Sequence, residues 1–248
     1  MTSTWLPATC VATRDETATA KTIRLKVDEL KTVLPGQHID IRLTAEDGYQ
    51  ATRSYSLSAT PLAGPNGQPL AADEVEITVE ELPDGEVSPY LVEDLAPGDV
   101  LEVRGPVGGW FVWHEADPAP VQLIGGGSGV APLAAILRAR AAARSIVPMR
   151  LLNTVRGPDD LYFGDELRRF GAVPGISVDF AYTRVAPREG PRLPGRLSAD
   201  DIKTMVHPAG TGITYICGPN SFVASVIKLL LEGGHDAASI RTERFGGA

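Results

Sequence analysis

The stretch GGGSGVAPL, residues 125–133, follows the apolar run VQLI and places four glycines in its first five positions. A glycine-rich turn between a buried strand and the next helix gathers free backbone N–H groups at the positive end of the helix dipole. Cβ atoms there would bar a phosphate. The stretch departs from G-x-G-x-x-G at Val130 and Pro132, and read alone it also fits a tight strand–helix turn with no ligand. A second stretch, RSYSLSA, residues 53–59, sets Arg53 and Tyr55 two apart, on one face of a strand. A guanidinium beside an aromatic face suits a nucleotide-like ligand, or else a cross-strand aromatic next to a surface arginine. In GEVSPYLVEDLAPGD, Ser88 takes an N-cap position and Pro89 the first helical position. The free N–H groups of that short helix could meet a phosphate, though a plain connecting helix explains it equally.

Other chemistries are excluded by count and charge. Two cysteines, Cys10 and Cys217, stand far apart. They allow neither a local four-cysteine iron–sulfur cluster nor a cysteine-rich zinc site, and no disulfide framework is expected. The four histidines, His38, His114, His207 and His235, show no metal-ligand spacing, so no metal is expected. A formal net charge of −8 argues against general nucleic-acid binding, which needs basic surface. No apolar run approaches the roughly 18 residues of a membrane span. The start MTSTWLPATC has no basic opening and no long apolar segment, so the expected location is the cytoplasm.

The elements that must position these residues follow two grammars. From about Ala20 to Val112, TIRLKV, HIDIRL and VEITVE alternate apolar and polar residues between glycine and proline punctuation, predicting an all-β barrel or sandwich. Residues 60–73, TPLAGPNGQPLAAD, read as a surface loop. After the linker-like ADPAP, strands and helices alternate. VQLIG, MRLLNTV, ISVDFAYT and ITYICG read as strands, and LAAILRARAAAR, DDLYFGDELRRF, SADDIKTMV and SFVASVIKLLLEGG as helices. Ser198 and Asp201 fit a capping box. Alternation of this kind implies a parallel sheet with helices on both faces. The expected architecture is an N-terminal antiparallel β-barrel, residues 1–116, followed by a doubly wound parallel α/β domain, residues 121–248.

Five stretches, RSYSLSA, GEVSPYL, GPVGGWF, GGGSGVAPL and CGPNSF, resemble in content and order the motifs of the ferredoxin–NADP reductase superfamily. The resemblance implies a Greek-key barrel that holds FAD, with FMN as the less favoured flavin, and a domain that binds NAD(P)H. It implies that Arg53 pairs with the flavin pyrophosphate, Tyr55 stacks on the isoalloxazine and Ser56 bonds near the hydride-accepting nitrogen. Leu57 and Ser58 belong to the same flavin strand. Strand alternation puts Tyr55 and Ser56 on opposite faces, which a local twist or backbone contact must reconcile. Gly85, Val87 and Ser88 are implied as phosphate contacts. Gly125, Gly126, Gly127, Ser128 and Gly129 are implied to cradle the dinucleotide, with Cys217, Gly218 and Pro219 beside the nicotinamide. Phe245 and Glu243 in the tail are implied to cover the flavin and to supply a carboxylate; an ordinary terminus is the alternative. Thr183 and Arg184 resemble the pair that meets a 2′-phosphate, which favours NADPH over NADH. Arg188, Arg192 and Arg196 follow nearby. The implied catalytic residues are Ser56, Cys217 and Glu243.

The function implied is a flavin-dependent oxidoreductase passing electrons from NAD(P)H to a separate acceptor. That acceptor could be a ferredoxin, an oxygenase component or a haem protein. The alternatives are a reductase that releases reduced flavin, and a non-catalytic subunit that keeps the fold. Arg138, Arg140 and Arg144 could form a basic docking patch on their helix, or a solvated face.

Overall fold

The computed structural model describes residues 4–188, 190 and 192–246. The chain separates into two compact units: residues up to His114 together with Ala134–Ala142, and Glu115–Leu133 together with Ala143–Ala248.

The first unit is built on six strands. They are β1 (Leu6–Thr17), β2 (Ala20–Val27), β3 (His38–Thr44), β4 (Gln50–Ala59), β5 (Glu74–Glu80) and β6 (Val100–Val107). Their antiparallel ladders close a barrel in the order β1-β2-β5-β4-β3-β6. Alternate residues fill the interior: Ile23, Leu25, Ile39, Ile41, Leu57, Val75 and Ile77 are all at most 1% exposed. Burying each such side chain stabilises the fold by about 1.5–3 kcal/mol. Nothing in the sequence before Ala20 announced β1. Its burial pattern shows why, since its only buried residues are the small Ala8 and Cys10, which leave no apolar period to read. Residues 60–73 are also less superficial than expected, because Ala63, Pro65 and Leu70 are buried.

The barrel has a second buried layer, and it is polar. Thr22, Ser58, Glu76 and Thr78 are all at most 6% exposed. The Thr78 hydroxyl donates to Ser58 Oγ at 3.0 Å and lies 2.8 Å from that of Thr22. Arg138, with a side chain 0% exposed, donates to the Ser58 carbonyl at 2.7 Å and lies 4.0 Å from Glu76 Oε2. Arg24 holds the other oxygen of Glu76 through two bonds, at 3.0 and 2.8 Å. Neither of the two readings of this helix holds, the basic docking patch or the solvated arginine face. Arg138 and Arg140 are 2% and 3% exposed, spent on the interior, and only Arg144 reaches solvent.

The second unit is a five-stranded parallel sheet. Its strands are β7 (Val121–Gly126), β8 (Met149–Val155), β9 (Ile176–Tyr182), β10 (Ile213–Pro219) and β11 (Ile240–Phe245), in the order β11-β10-β7-β8-β9. Its helices are α2 (Gly164–Phe170), α3 (Ala199–Met205) and α4 (Asn220–Glu232), together with the first turn of α1 (Val130–Ala142), whose residues from Ala134 belong to the first unit. The capping box at α3 is present, with Ser198 Oγ accepting from the Asp201 N–H and the Asp201 carboxylate from the Ser198 N–H. The helix expected across DDLYFGDELRRF is shorter: Phe163 takes a left-handed conformation at φ +56°, so α2 begins only at Gly164. Among the described residues no helix is long and apolar enough to cross a membrane.

Candidate functional site

In the sheet unit, β7 is central. The chain runs from it to β8 and β9 on one side, then crosses to β10 and β11 on the other. Ligands of such sheets lie beyond the strand C-termini where the order reverses. The glycine stretch begins there: Gly125 pairs in register with Cys217 of β10 and Asn153 of β8, and Gly126 with Thr154. The turn Gly127–Gly129 then leads into α1, a thirteen-residue helix.

Two of the glycines carry distinct demands. Gly127 has φ +56°, and a Cβ there would meet no atom within 4 Å, so its outer face is open to a ligand. Gly129 is the opposite case. Its Cβ would lie 2.1 Å from the Cys217 carbonyl oxygen and 2.8 Å from the Gly218 nitrogen. Ser128 sits between them, half-buried.

The same edge holds the tail. Along β10 and β11, Cys217 pairs with Glu243, Gly218 with Arg244 and Pro219 with Phe245. Cys217, Gly218, Pro219, Glu243 and Phe245 are thus brought together with Gly125–Gly129, through backbone ladders and one close approach. The Cys217 thiol is buried, and burial, with the nearby Glu243 charge, pushes its pKa well above the usual thiol value. It stays protonated at neutral pH and acts as a small apolar wall, not a nucleophile. Cys10 is buried too, and burial raises its thiol as well. Native protein is therefore expected to resist a thiol-specific disulfide reagent at pH 8. Both cysteines should react within minutes once guanidinium unfolds the chain; rapid labelling of native Cys217 would overturn this.

At the ends of β8 and β9, the Thr183 hydroxyl donates to the Val155 carbonyl at 3.2 Å. The Arg184 N–H donates to the Arg156 carbonyl at 2.9 Å. Arg184 and Arg156 are both exposed, so two guanidinium groups stem from adjacent strand ends. Arg192 is not free to join them. It holds Asp201 at 2.7 and 3.0 Å and also donates to the carbonyls of Tyr182, Gly195 and Arg196. These bonds fix the loop that follows β9.

Three residues here were missed by sequence reasoning. Arg156 is one; the others are Asn153 and Thr154, at 0% and 5% exposure. Both polar atoms of the Asn153 side chain and the Thr154 hydroxyl lack a hydrogen-bond partner among the described residues. Buried polar groups are normally bonded, so such orphans beside a glycine turn are a ligand signal. The legible cue was two polar residues interrupting the apolar run of MRLLNTV.

In the barrel unit, β4 carries Arg53, Tyr55, Ser56, Leu57 and Ser58; its register against β3 is unbroken from Gln50 to Ser56, with Tyr55 opposite Ile39 and Ser56 opposite His38, and Leu57 pairs with Ile77 of β5 before a shift in register. Tyr55 is half-buried against the barrel core, and burial pushes its phenol up to about 12, so it is neutral and aromatic at any working pH. Leu57 is a core residue at 0% exposure. Ser58 is also 0% exposed and its hydroxyl and carbonyl are both engaged, so its side chain is unavailable to a cofactor. Arg53 pairs with Glu86, which also accepts from the Tyr49 hydroxyl.

Ser88 does not cap its helix as expected. Its hydroxyl accepts from the Leu82 N–H at 3.0 Å, the first helical bond runs from Leu91 N–H to Val87 O, and the segment Tyr90–Asp94 closes as a wide turn with Leu95 N–H bonded to Tyr90 O. A second bond, Gly85 N–H to Leu82 O at 2.7 Å, tightens the loop that holds Gly85, Val87 and Ser88, and the Val87 side chain is buried in the barrel core.

The residues present fit both nucleotide groups. The turn at Gly127 is open to a phosphate, orphaned polar atoms lie one strand away, and Arg53 and Tyr55 offer a cation and a ring on β4.

Comparison with known proteins agrees. The family described as "Oxidoreductase FAD-binding domain" matches residues 9–112, and that described as "Oxidoreductase NAD-binding domain" matches residues 123–228. The chain is 30% identical to the aromatic O-demethylase reductase subunit of Amycolatopsis sp., over 97% of this chain and 69% of that protein. It is 30% identical to the glycine betaine monooxygenase reductase subunit of Chromohalobacter salexigens, over 96% of this chain and 63% of the relative. The crystal structure of the flavohem-like FAD/NAD-binding domain of nitric oxide dioxygenase from Vibrio cholerae superposes with a TM-score of 0.84 at 27% identity, covering 98% and 99% of the two chains. The chain spans between about half and two thirds of the length of most curated relatives it matches. The two nucleotide-binding domains, their order and these relatives place the chain in the ferredoxin–NADP reductase superfamily of FAD-dependent oxidoreductases.

Proposed function

We propose that the protein is an NAD(P)H reductase that binds FAD and delivers electrons to a separate acceptor, of which an oxygenase component is the favoured kind. The observation that carries the reading is the glycine turn, open at Gly127 and pressed against Cys217–Gly218 at Gly129, at the reversal point of a parallel sheet. FAD supplies the redox chemistry: it takes a hydride and gives up electrons one at a time.

The chain's own residues bind and orient. Gly125–Gly129 and the N-terminus of α1 receive the dinucleotide pyrophosphate through backbone N–H groups. Asn153 and Thr154 bond to the same ligand. Cys217, Gly218 and Pro219 form a neutral wall at the nicotinamide, with Glu243 and Phe245 on the neighbouring strand. In the barrel, Arg53 and the N–H groups around Gly85, Val87 and Ser88 hold the flavin phosphates. Tyr55 covers a ring face, and Ser56 bonds to its polar edge. Residues 1–116 and 121–248 are the two binding domains. An oxygenase as acceptor draws support from relatives named as reductase subunits of a monooxygenase and of a demethylase. Two cysteines cannot make a Cys₄ cluster among these residues, so any iron–sulfur acceptor would lie outside them.

Thr183, Arg184 and Arg156 favour NADPH, because guanidinium groups bind phosphate bidentately. The test is anaerobic titration of the flavin-loaded protein with each nucleotide. NADPH is expected to bleach the flavin faster than NADH, and Arg184→Ala to cut that preference by roughly ten- to a hundredfold, the loss of one charged hydrogen bond. Equal rates with the two nucleotides would remove the preference for NADPH, and faster bleaching by NADH would assign the cofactor as NADH. No bleaching with either nucleotide would sink the enzyme reading.

A further inference from the structure

We propose that Glu86 is an internal competitor for the flavin phosphates: it occupies Arg53 in the free protein, is displaced when the cofactor binds, and so lowers flavin affinity and favours exchange. This rests on the reading of Arg53 as a flavin-phosphate ligand.

Both oxygens of Glu86 are committed, Oε2 to the Arg53 guanidinium and Oε1 to the Tyr49 hydroxyl. The Tyr49 hydroxyl and Arg53 hold its carboxyl below the usual carboxylate range, so it is fully ionised at neutral pH. Its backbone is fixed: Gly85 is bonded to Leu82, Leu82 to Ser88, and the neighbouring Val87 is 0% exposed in the barrel core. The carboxylate is therefore presented to Arg53 by a rigid turn, with little ordering left to do.

The pair is nevertheless breakable. The Arg53 and Glu86 side chains are 51% and 44% exposed, so water screens their attraction. A phosphate offers the guanidinium a stronger bidentate partner than a lone carboxylate oxygen. With Tyr49, Arg42 and Tyr90, Glu86 lines an open groove of about 520 Å³. A released carboxylate stays in water there, so displacement strands no buried charge. Two penalties on phosphate binding remain. The Arg53–Glu86 pair must break, and Glu86 stays nearby as a like charge. Glu86→Gln removes both and keeps a hydrogen-bonding partner for Tyr49.

The experiment strips the full chain of flavin and titrates it by flavin fluorescence with FAD, FMN and riboflavin. The proteins are the natural one, Glu86→Gln, Arg53→Gln and the double variant. Glu86→Gln is expected to bind FAD and FMN roughly three- to tenfold more tightly, from the lost like charge and the lost ion pair. Riboflavin, which has no phosphate, should be unmoved, and in the Arg53→Gln background the gain should shrink to the part due to the like charge alone. A gain of affinity cannot come from a damaged fold. Unchanged or weaker FAD binding by Glu86→Gln, or an equal gain for riboflavin, overturns the proposal while leaving the flavin reading intact. Failure of all four proteins to bind any flavin overturns both.

Discussion

Gly129→Ala is expected to slow flavin reduction by NAD(P)H by at least about a hundredfold, the size of effect that a 1 Å displacement in a reacting pair produces. The added methyl would lie 2.1 Å from the Cys217 carbonyl oxygen and 2.4 Å from its carbonyl carbon. Both are backbone atoms of a central strand, so no rotamer change relieves the clash. Either the glycine turn lifts away or β10 shifts, and both moves carry Gly218 and Pro219 out of position. Overpacking of this kind costs about 1–3 kcal/mol of stability. Gly127→Ala is the comparison, because its methyl would stand in the space left for the phosphate and weaken nucleotide binding without pressing on β10. It meets open space, and its left-handed backbone costs about 1–2 kcal/mol. Stopped-flow reduction with parallel melting curves separates the two. If Gly129→Ala reduces its flavin at the natural rate, the close approach has no part in catalysis.

Arg138→Met should produce the largest loss of stability in the barrel unit, about 3–5 kcal/mol, the usual effect of removing one partner from a buried ion pair. The guanidinium is fully enclosed and faces both Glu76 Oε2 and the Ser58 carbonyl. Arg24 satisfies only the other oxygen of Glu76, so the substitution leaves a buried carboxylate oxygen without compensation. The double variant Arg138→Met/Glu76→Gln should recover part of the loss, because the stranded charge goes with its partner. The Ser58 carbonyl still lacks its donor, worth about 1–3 kcal/mol. Urea unfolding of these two variants and of Glu76→Gln alone closes the double-mutant cycle. Additive losses would show that Arg138 and Glu76 are not coupled.

Legibility varied with the kind of constraint. The five-motif order and the switch from period-two to strand–helix alternation exposed the barrel, the parallel sheet and the position of the glycine turn, because backbone demands leave glycines in the text. The first strand was invisible, since Ala8 and Cys10 bury too little to mark a period. Arg138 and Arg140 read as surface because arginine seldom lies inside; only the packing of Glu76 and Ser58 against α1 shows the reason. Ser88 read as an N-cap because its type fits, yet its hydroxyl serves a turn that local sequence does not advertise. The orphaned Asn153 and Thr154 were hidden in a strand whose other residues are a plain core.

The central strand β7 also has a consequence for how the protein is made. β8 begins about twenty residues after β7, but β10, its other neighbour, begins only at Ile213, nearly ninety residues later. At ribosomal speeds that interval lasts roughly 5–20 s. Throughout it, one side of the most completely buried strand in the sheet carries unpaired N–H and C=O groups, a template for other nascent chains. Chaperone occupancy during synthesis, and losses to aggregation when translation is slowed between residues 130 and 213, should therefore be concentrated in this half of the protein. The barrel, whose last strand ends at Val107, is already closed by then.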